Sequence, residues 1–157
     1  MVTAYKDPKL PPQLSLPPDW LAGLTALTKP EGMALLAAVQ TLYPHAALPV
    51  EVYHRAVLML DRLSSGVATL RAFCAALDAA TQVKFADLAE TYRIQVLKSL
   101  QDTPGFFFTQ RMVVRYLYDD VLVWAAFGYE GASVHLGGYI KRGFDDLDWL
   151  PPLPNDL

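Results

Sequence analysis

Three aspartates, Asp145, Asp146 and Asp148, crowd one short stretch that begins ten residues after His135. Carboxylates at this density are what a hard divalent cation takes as oxygen ligands, and a nearby histidine is the usual general base of a hydrolytic site. This spacing does not fit a twelve-residue calcium loop, which needs a glycine at its sixth position and a glutamate at its twelfth. A second reading needs no metal: Asp145 caps a turn while Asp146 pairs with Arg142 or Lys141. His45 and His54 lie far from His135 and share no metal-ligand spacing with it; His54 falls on the polar side of its helix, where a solvated imidazole is expected. The single cysteine, Cys74, excludes an internal disulfide and a cysteine-rich metal site. It stands on the apolar stripe of LRAFCAALDAA and is expected to be a small buried hydrophobe. The strongest catalytic alternative is therefore a stand-alone metal-dependent enzyme built on Asp145, Asp146, Asp148 and His135.

The same stretch is better suited to recognition. Residues 128–150, GYEGASVHLGGYIKRGFDDLDWL, hold five of the nine glycines, and neither a helical nor a strand period runs through them. Gly137, Gly138 and Gly143 mark positive-φ or close-approach positions. Tyr129, Tyr139, Phe144 and Trp149 supply the amphipathic aromatic area favoured at interface hot spots. Arg142 adds a planar fork able to grip a carboxylate or backbone carbonyls. With Glu130 and Asp146, these are the residues expected to bind a partner. The competing reading has the aromatics folding back to seal the helices; both roles are compatible, and the core has ample apolar residues without them.

The elements that must carry this segment read as helices. Residues 1–27 are expected to form an extended N-terminal arm: Pro8, Pro11, Pro12, Pro17 and Pro18 exclude a regular helix or central strand, while Leu10, Leu14, Leu16 and Trp20 give it apolar anchors for docking on this domain or on a partner, a disordered tail being the alternative. A short helical turn is expected from Asp19. Residues 28–157 form the helical domain, including the irregular segment 128–157. Thr28-Lys29-Pro30-Glu31 is a capping box with proline in the first turn, and Pro44 ends that helix. A second helix opens at Pro49, with Val50, Tyr53, Val57, Leu60 and Leu63 on its core side, and is expected to end at the Ser64-Ser65-Gly66 glycine cap. A third is predicted over 67–86, with Leu70, Phe73, Cys74, Leu77 and Ala80 inward. An Asp87…Glu90 capping box is predicted to start a fourth, inward at Leu88, Tyr92, Val96, Leu97 and Leu100. Thr103-Pro104 starts a fifth, apolar almost all round and so either central or covered by another chain. A short sixth, 121–127, ends at Gly128. With no glycine-rich phosphate loop and no sustained alternation, the fold class is all-α: one domain of five or six helices.

Length suits one domain. Hydrophobic residues make up 53% and charged residues 18%, more apolar than an isolated globular domain requires, and such surplus usually goes to a partner, a second copy included. A net charge of -3 leaves no footprint for nucleic acid or anionic lipid. Arg111 and Arg115 are followed by Asp119 and Asp120, as on a solvated or ion-paired face. The longest apolar run, 33–39, is far short of a membrane span. The N-terminus shows no basic region followed by an apolar core, which leaves three readings open: the chain stays in the cytoplasm, a leader has been removed, or a partner carries the export signal.

Phe107-Phe108 in a late helix, Phe127-Gly128-Tyr129-Glu130-Gly131, Gly137-Gly138-Tyr139, Arg142-Gly143-Phe144-Asp145-Asp146 and Asp148-Trp149-Leu150-Pro151 together form a pattern. It resembles that of the gluconate 2-dehydrogenase subunit 3 family, small subunits of bacterial FAD-dependent sugar and polyol dehydrogenases. The resemblance is strongest to small (gamma) subunits that accompany flavin subunits of the glucose-methanol-choline type, including glucoside 3-dehydrogenases. It covers residues 106–151, and more loosely 35–100. It implies a non-catalytic subunit with no cofactor of its own, which binds and stabilises an FAD-containing catalytic subunit, at times beside a cytochrome c subunit. It also implies export through the twin-arginine route and a periplasmic location. The chain departs from the pattern in showing no twin-arginine leader, so a trimmed leader or a cytoplasmic location is expected. The resemblance brings no catalytic residue to this chain.

Overall fold

The computed structural model describes residues 14–129, 131, 137 and 138. Within them the chain is a single all-α domain of six helices: α1 (Lys29–Leu42), α2 (Val50–Asp61), α3 (Val67–Ala79), α4 (Glu90–Ser99), α5 (Pro104–Leu117) and α6 (Val121–Phe127). Two 3-10 turns, Trp20–Gly23 and Phe85–Asp87, complete the described elements.

The starts and stops that depend on neighbouring residues fall where the sequence places them. Thr28 and Glu31 close the capping box on α1: the Glu31 amide donates to Thr28 Oγ1 at 3.4 Å and the Thr28 amide to Glu31 Oε2 at 2.7 Å. Thr103 caps α5 by accepting from the Phe106 amide, with Pro104 in the first turn. Gly128 ends α6 in the left-handed region at φ 71, which a residue with a Cβ seldom adopts.

The centre belongs to α1, which packs against α2, α3, α4, α5 and the Phe85–Asp87 turn. Its GMALLAAV run is buried nearly all round; Ala34, Ala37 and Ala38 are small enough to let several neighbours approach at once. α5 packs against α2, α3 and α1. It buries Thr109, Val113 and Leu117 and leaves Phe107 and Val114 exposed. Gly105 in its first turn is a close-approach position: a Cβ there would stand 2.6 Å from Phe73 Cβ on α3. Phe73 is buried and its Cβ cannot swing aside. Gly105→Ala is therefore expected to destabilise the fold by about 1–3 kcal/mol through overpacking, despite alanine's higher helix propensity. Chemical denaturation would show it, and a rise in midpoint would mean that α3 and α5 can separate freely.

Other boundaries are corrected by tertiary contacts. α2 stops at Asp61, and Gly66 is the N-cap of α3 rather than a C-cap, with an ordinary φ of -112. Its missing side chain instead makes room for Phe108, whose Cζ would lie 2.1 Å from a Cβ. Val50 and Tyr92, expected inward, are exposed, as is Ala80. α3 ends at Ala79, not residue 86, because Asp78 folds the chain back on itself. Its carboxylate accepts from the Phe85 amide at 3.0 Å and from Lys84 Nζ at 2.8 Å. Phe85 is thereby driven fully into the core. The expected capping box at Asp87 does not form; Asp87 lies in the 3-10 turn and Ala89 is the N-cap of α4.

Residues 14–27 run along the bundle as a strap. Asp19 caps the Trp20–Gly23 turn and pairs with Lys29 Nζ at 3.0 Å, an exposed pair of small energetic weight. Trp20 stacks on His54 of α2 with centroids 4.6 Å apart and planes 9° from parallel. His54 is thus a partly buried stacking partner rather than the solvated imidazole expected, and burial lowers its pKa. Leu24 seats over Gly32. The end of the strap is held by Asp61, whose carboxylate accepts from the Thr25, Ala26 and Leu27 amides and the Thr25 hydroxyl at 2.6–3.0 Å. Arg71 donates to the Ala26 carbonyl.

Candidate functional site

The chain leaves its described helices at the α5–α6 end, and this end is rigidly built. Asp120 is buried, accepts from the Leu122 amide at 2.9 Å as the N-cap of α6, and pairs with Arg55 of α2 at 2.5 Å. Asp120 therefore makes a cross-helix tie to Arg55, while Arg111, Arg115 and Asp119 are exposed, as on the solvated face expected. Trp124 Nε1 donates to the Tyr118 carbonyl at 2.6 Å. The Tyr129 amide donates to the Trp124 carbonyl at 2.9 Å, and the Tyr129 ring stands edge-on to Trp124 at 5.2 Å.

Beside these sits a polar aromatic knot absent from any local motif. Tyr118 Oη lies 2.6 Å from His45 Nε2. The Tyr53 hydroxyl donates to the Tyr43 carbonyl at 2.7 Å and accepts from the His45 amide at 3.1 Å, and the Tyr43 hydroxyl donates to the Gln110 carbonyl. Phe127 stands edge-on to His45 at 5.4 Å. Burial raises the pKa of both Tyr43 and Tyr118, with Tyr118 acting further on Tyr43 and Tyr53 on Tyr118, so both phenols are neutral across the physiological range. The knot lies along an open groove of about 330 Å3 lined by Pro44, His45, Leu48, Val50 and Tyr53, among others. A second open groove, about 170 Å3, runs between α1 and α4 beside Lys98. Both are open surfaces, unlike the enclosing clefts that bury most of a small ligand.

Large apolar side chains stay exposed on α5, on α6 and just after it (Phe107, Val114, Leu122, Phe127 and Tyr129), as they do elsewhere at Met33, Val50, Val83, Tyr92 and Ile94. Tyr129, at 48% exposure, is the one expected partner-binding residue that the described structure contains. Glu130, Tyr139, Arg142, Phe144, Asp146 and Trp149 lie outside the described residues, as do His135, Asp145 and Asp148 and the arm before residue 14. Gly137 and Gly138 do adopt positive φ, 83 and 76. Cys74 is buried, its thiol pushed up to about 12 by burial and by Glu31 and Asp78, and it is an unreactive core residue. Among the described residues no group of three or more His, Cys, Asp or Glu side chains converges on a common point, and no helix is long and apolar enough to cross a membrane. Comparison with models of known protein families, with curated proteins and with solved structures gave no match.

The knot is not legible in the sequence. His45 and Tyr118 are 73 residues apart, and neither stands in a spacing that signals chemistry. The only hint was their type: a histidine in a Tyr-Pro-His loop and a tyrosine at a helix end.

Proposed function

We propose that this chain is a non-catalytic small subunit that binds and stabilises the FAD-containing catalytic subunit of a bacterial sugar or glycoside dehydrogenase. The flavin and the catalytic base then belong to the partner, and a cytochrome c subunit is a candidate third component. The observation that carries this reading is the residue pattern over 106–151. Its support is the exposure, within that pattern, of the large apolar side chains Phe107, Val114, Leu122, Phe127 and Tyr129. Exposed apolar surface beyond what a monomer needs usually goes to a partner. Tyr129, Glu130, Tyr139, Arg142, Phe144, Asp146 and Trp149 are the proposed contacts. A periplasmic location is part of the same proposal.

The test is recovery of the tagged chain from its source cells with an absorbance spectrum of whatever accompanies it. A near-stoichiometric yellow partner with a flavin spectrum is the expected result. Arg142→Ala and Trp149→Ala should then each weaken the complex by roughly 2 kcal/mol or more, as central aromatic and arginine anchors do. A chain recovered alone and well folded would overturn the assignment. Unchanged affinity in both variants would move the interface elsewhere.

A further inference from the structure

A phenol that loses one electron becomes a very strong acid, so tyrosine is oxidised readily only where a base already waits at its hydroxyl. Among the described tyrosines, Tyr118 is the one whose hydroxyl meets a side-chain base, His45 Nε2 at 2.6 Å. The hydroxyls of Tyr43 and Tyr53 donate to backbone carbonyls, which cannot keep a proton. Imidazole takes up and returns a proton near neutrality.

We propose that Tyr118 and His45 are a proton-coupled redox pair, the preferred seat of one-electron oxidation among the described residues. In the step, an oxidising radical of the peroxyl class takes one electron from the Tyr118 ring and becomes the hydroperoxide anion. The Tyr118 O–H bond breaks and an N–H bond forms at His45 Nε2. A neutral tyrosyl radical and an imidazolium remain, and an electron from a reductant such as a thiolate reverses both changes.

Three features of the site favour this chemistry. His45 is held in place: its amide donates to Tyr53, and its ring stands edge-on to both Tyr118 and Phe127. The proton therefore has one short path, from Tyr118 Oη to His45 Nε2. The pKa of the Tyr118 phenol is raised above its ordinary 10.0 by burial and by Tyr53, so the proton is still on the oxygen when the electron leaves and needs the base. Oxidisable rings also connect the pair to the surface. Tyr129, half-exposed, touches Trp124, whose indole N–H is bonded to the Tyr118 carbonyl, and Tyr43 stands edge-on to Tyr118 at 6.2 Å. Tyr92, the most exposed of the large apolar side chains at 59%, is the natural competitor if access alone decides. The inference does not depend on the subunit reading, because the pair lies wholly within this chain.

The experiment uses the full chain with photogenerated tris(bipyridine)ruthenium(III) as oxidant. Tyrosyl formation is followed by optical absorption and EPR, and the site by mass spectrometry of spin-trap adducts. The expected result is an adduct on Tyr118, with formation slower in D2O than in H2O. Tyr118→Phe should abolish that signal. His45→Gln, which keeps a hydrogen-bond acceptor but removes the base, should lose the isotope effect and shift the adduct to Tyr92 or Tyr129. A wild-type adduct on Tyr92 would overturn the proposal, and so would a His45→Gln chain that still oxidises at Tyr118 with the same isotope effect. Melting curves of each variant confirm the fold; if Tyr118→Phe does not fold, the His45→Gln comparison decides alone.

Discussion

Phe85→Ala is expected to lower the stability of the bundle by about 3–5 kcal/mol, the range for truncating a buried aromatic. Phe85 is fully buried and belongs to the single core cluster, although it sits in a 3-10 turn between α3 and α4. That turn packs on α1, so the ring joins the α3–α4 connection to the central helix. Refilling the void would require the turn to move, and Asp78 holds its amide in place. In a domain of this size the melting temperature should fall by roughly 10 °C, at about 2–4 °C per kcal/mol. Phe107→Ala is the control: the same chemical change at a ring 55% exposed should cost no more than about 0.5 kcal/mol. Equal losses in the two variants would show that Phe85 is not the plug described here.

Asp61→Ala is expected to release the strap and cost about 3 kcal/mol. Asp61 is 1% exposed, and its carboxylate satisfies three successive amides and a hydroxyl. Hydrogen bonds to a charged acceptor contribute about 1.5–3 kcal/mol each, and donors left unpaired add their own desolvation penalty. Part of that is regained, because some of these donors are only part-buried and water can reach them. Hydrogen exchange at the 25–27 amides should rise sharply, well beyond the global loss, and Trp20 fluorescence should change as its stack on His54 loosens. Protection that remained at those amides in the alanine variant would show the strap to be held by packing alone.

The same residue sets a pH dependence. Burial by itself would raise the Asp61 pKa, but donation from Leu27, Thr25 and Ala26 outweighs it, and the pKa lies below the ordinary 3.8. The unfolded chain then binds a proton more readily than the folded one. Asp61 therefore contributes stability that is fully present above 3.8 and is lost as pH falls through the folded value. The wild-type midpoint should drop in that acidic window, and in Asp61→Ala the corresponding part of the drop should vanish.

These two residues also mark how far the sequence could be read. Helix starts at Thr28 and Thr103 and the stop at Gly128 were legible because each depends on residues within a turn of one another. The all-α class followed from apolar spacing, which is likewise local. Local spacing places Phe85 within a longer helix, because nothing in residues 80–86 announces that Asp78 will capture its amide. Asp61 drew no notice, since its partners lie 34–36 residues away and a lone aspartate at a helix end is ordinary.

For the interaction face the division is similar. The sequence by itself determined that residues 128–150 are glycine-rich, aromatic and without period, and it identified Tyr129 as a contact candidate. Tertiary structure decided how the end of the bundle before that segment is held: by the Arg55–Asp120 tie, the Trp124 bond to Tyr118, and the His45–Tyr118 pair. It also decided which helix is central: α1 rather than the aromatic-rich α5, because small residues let α1 pack against α2, α3, α4 and α5 while the bulky Phe107 and Val114 of α5 were left outside. Local chemistry sets where helices begin and end. Which side chains meet across the bundle depends on packing shape and on paired charges far apart in the chain, and spacing along one sequence carries neither.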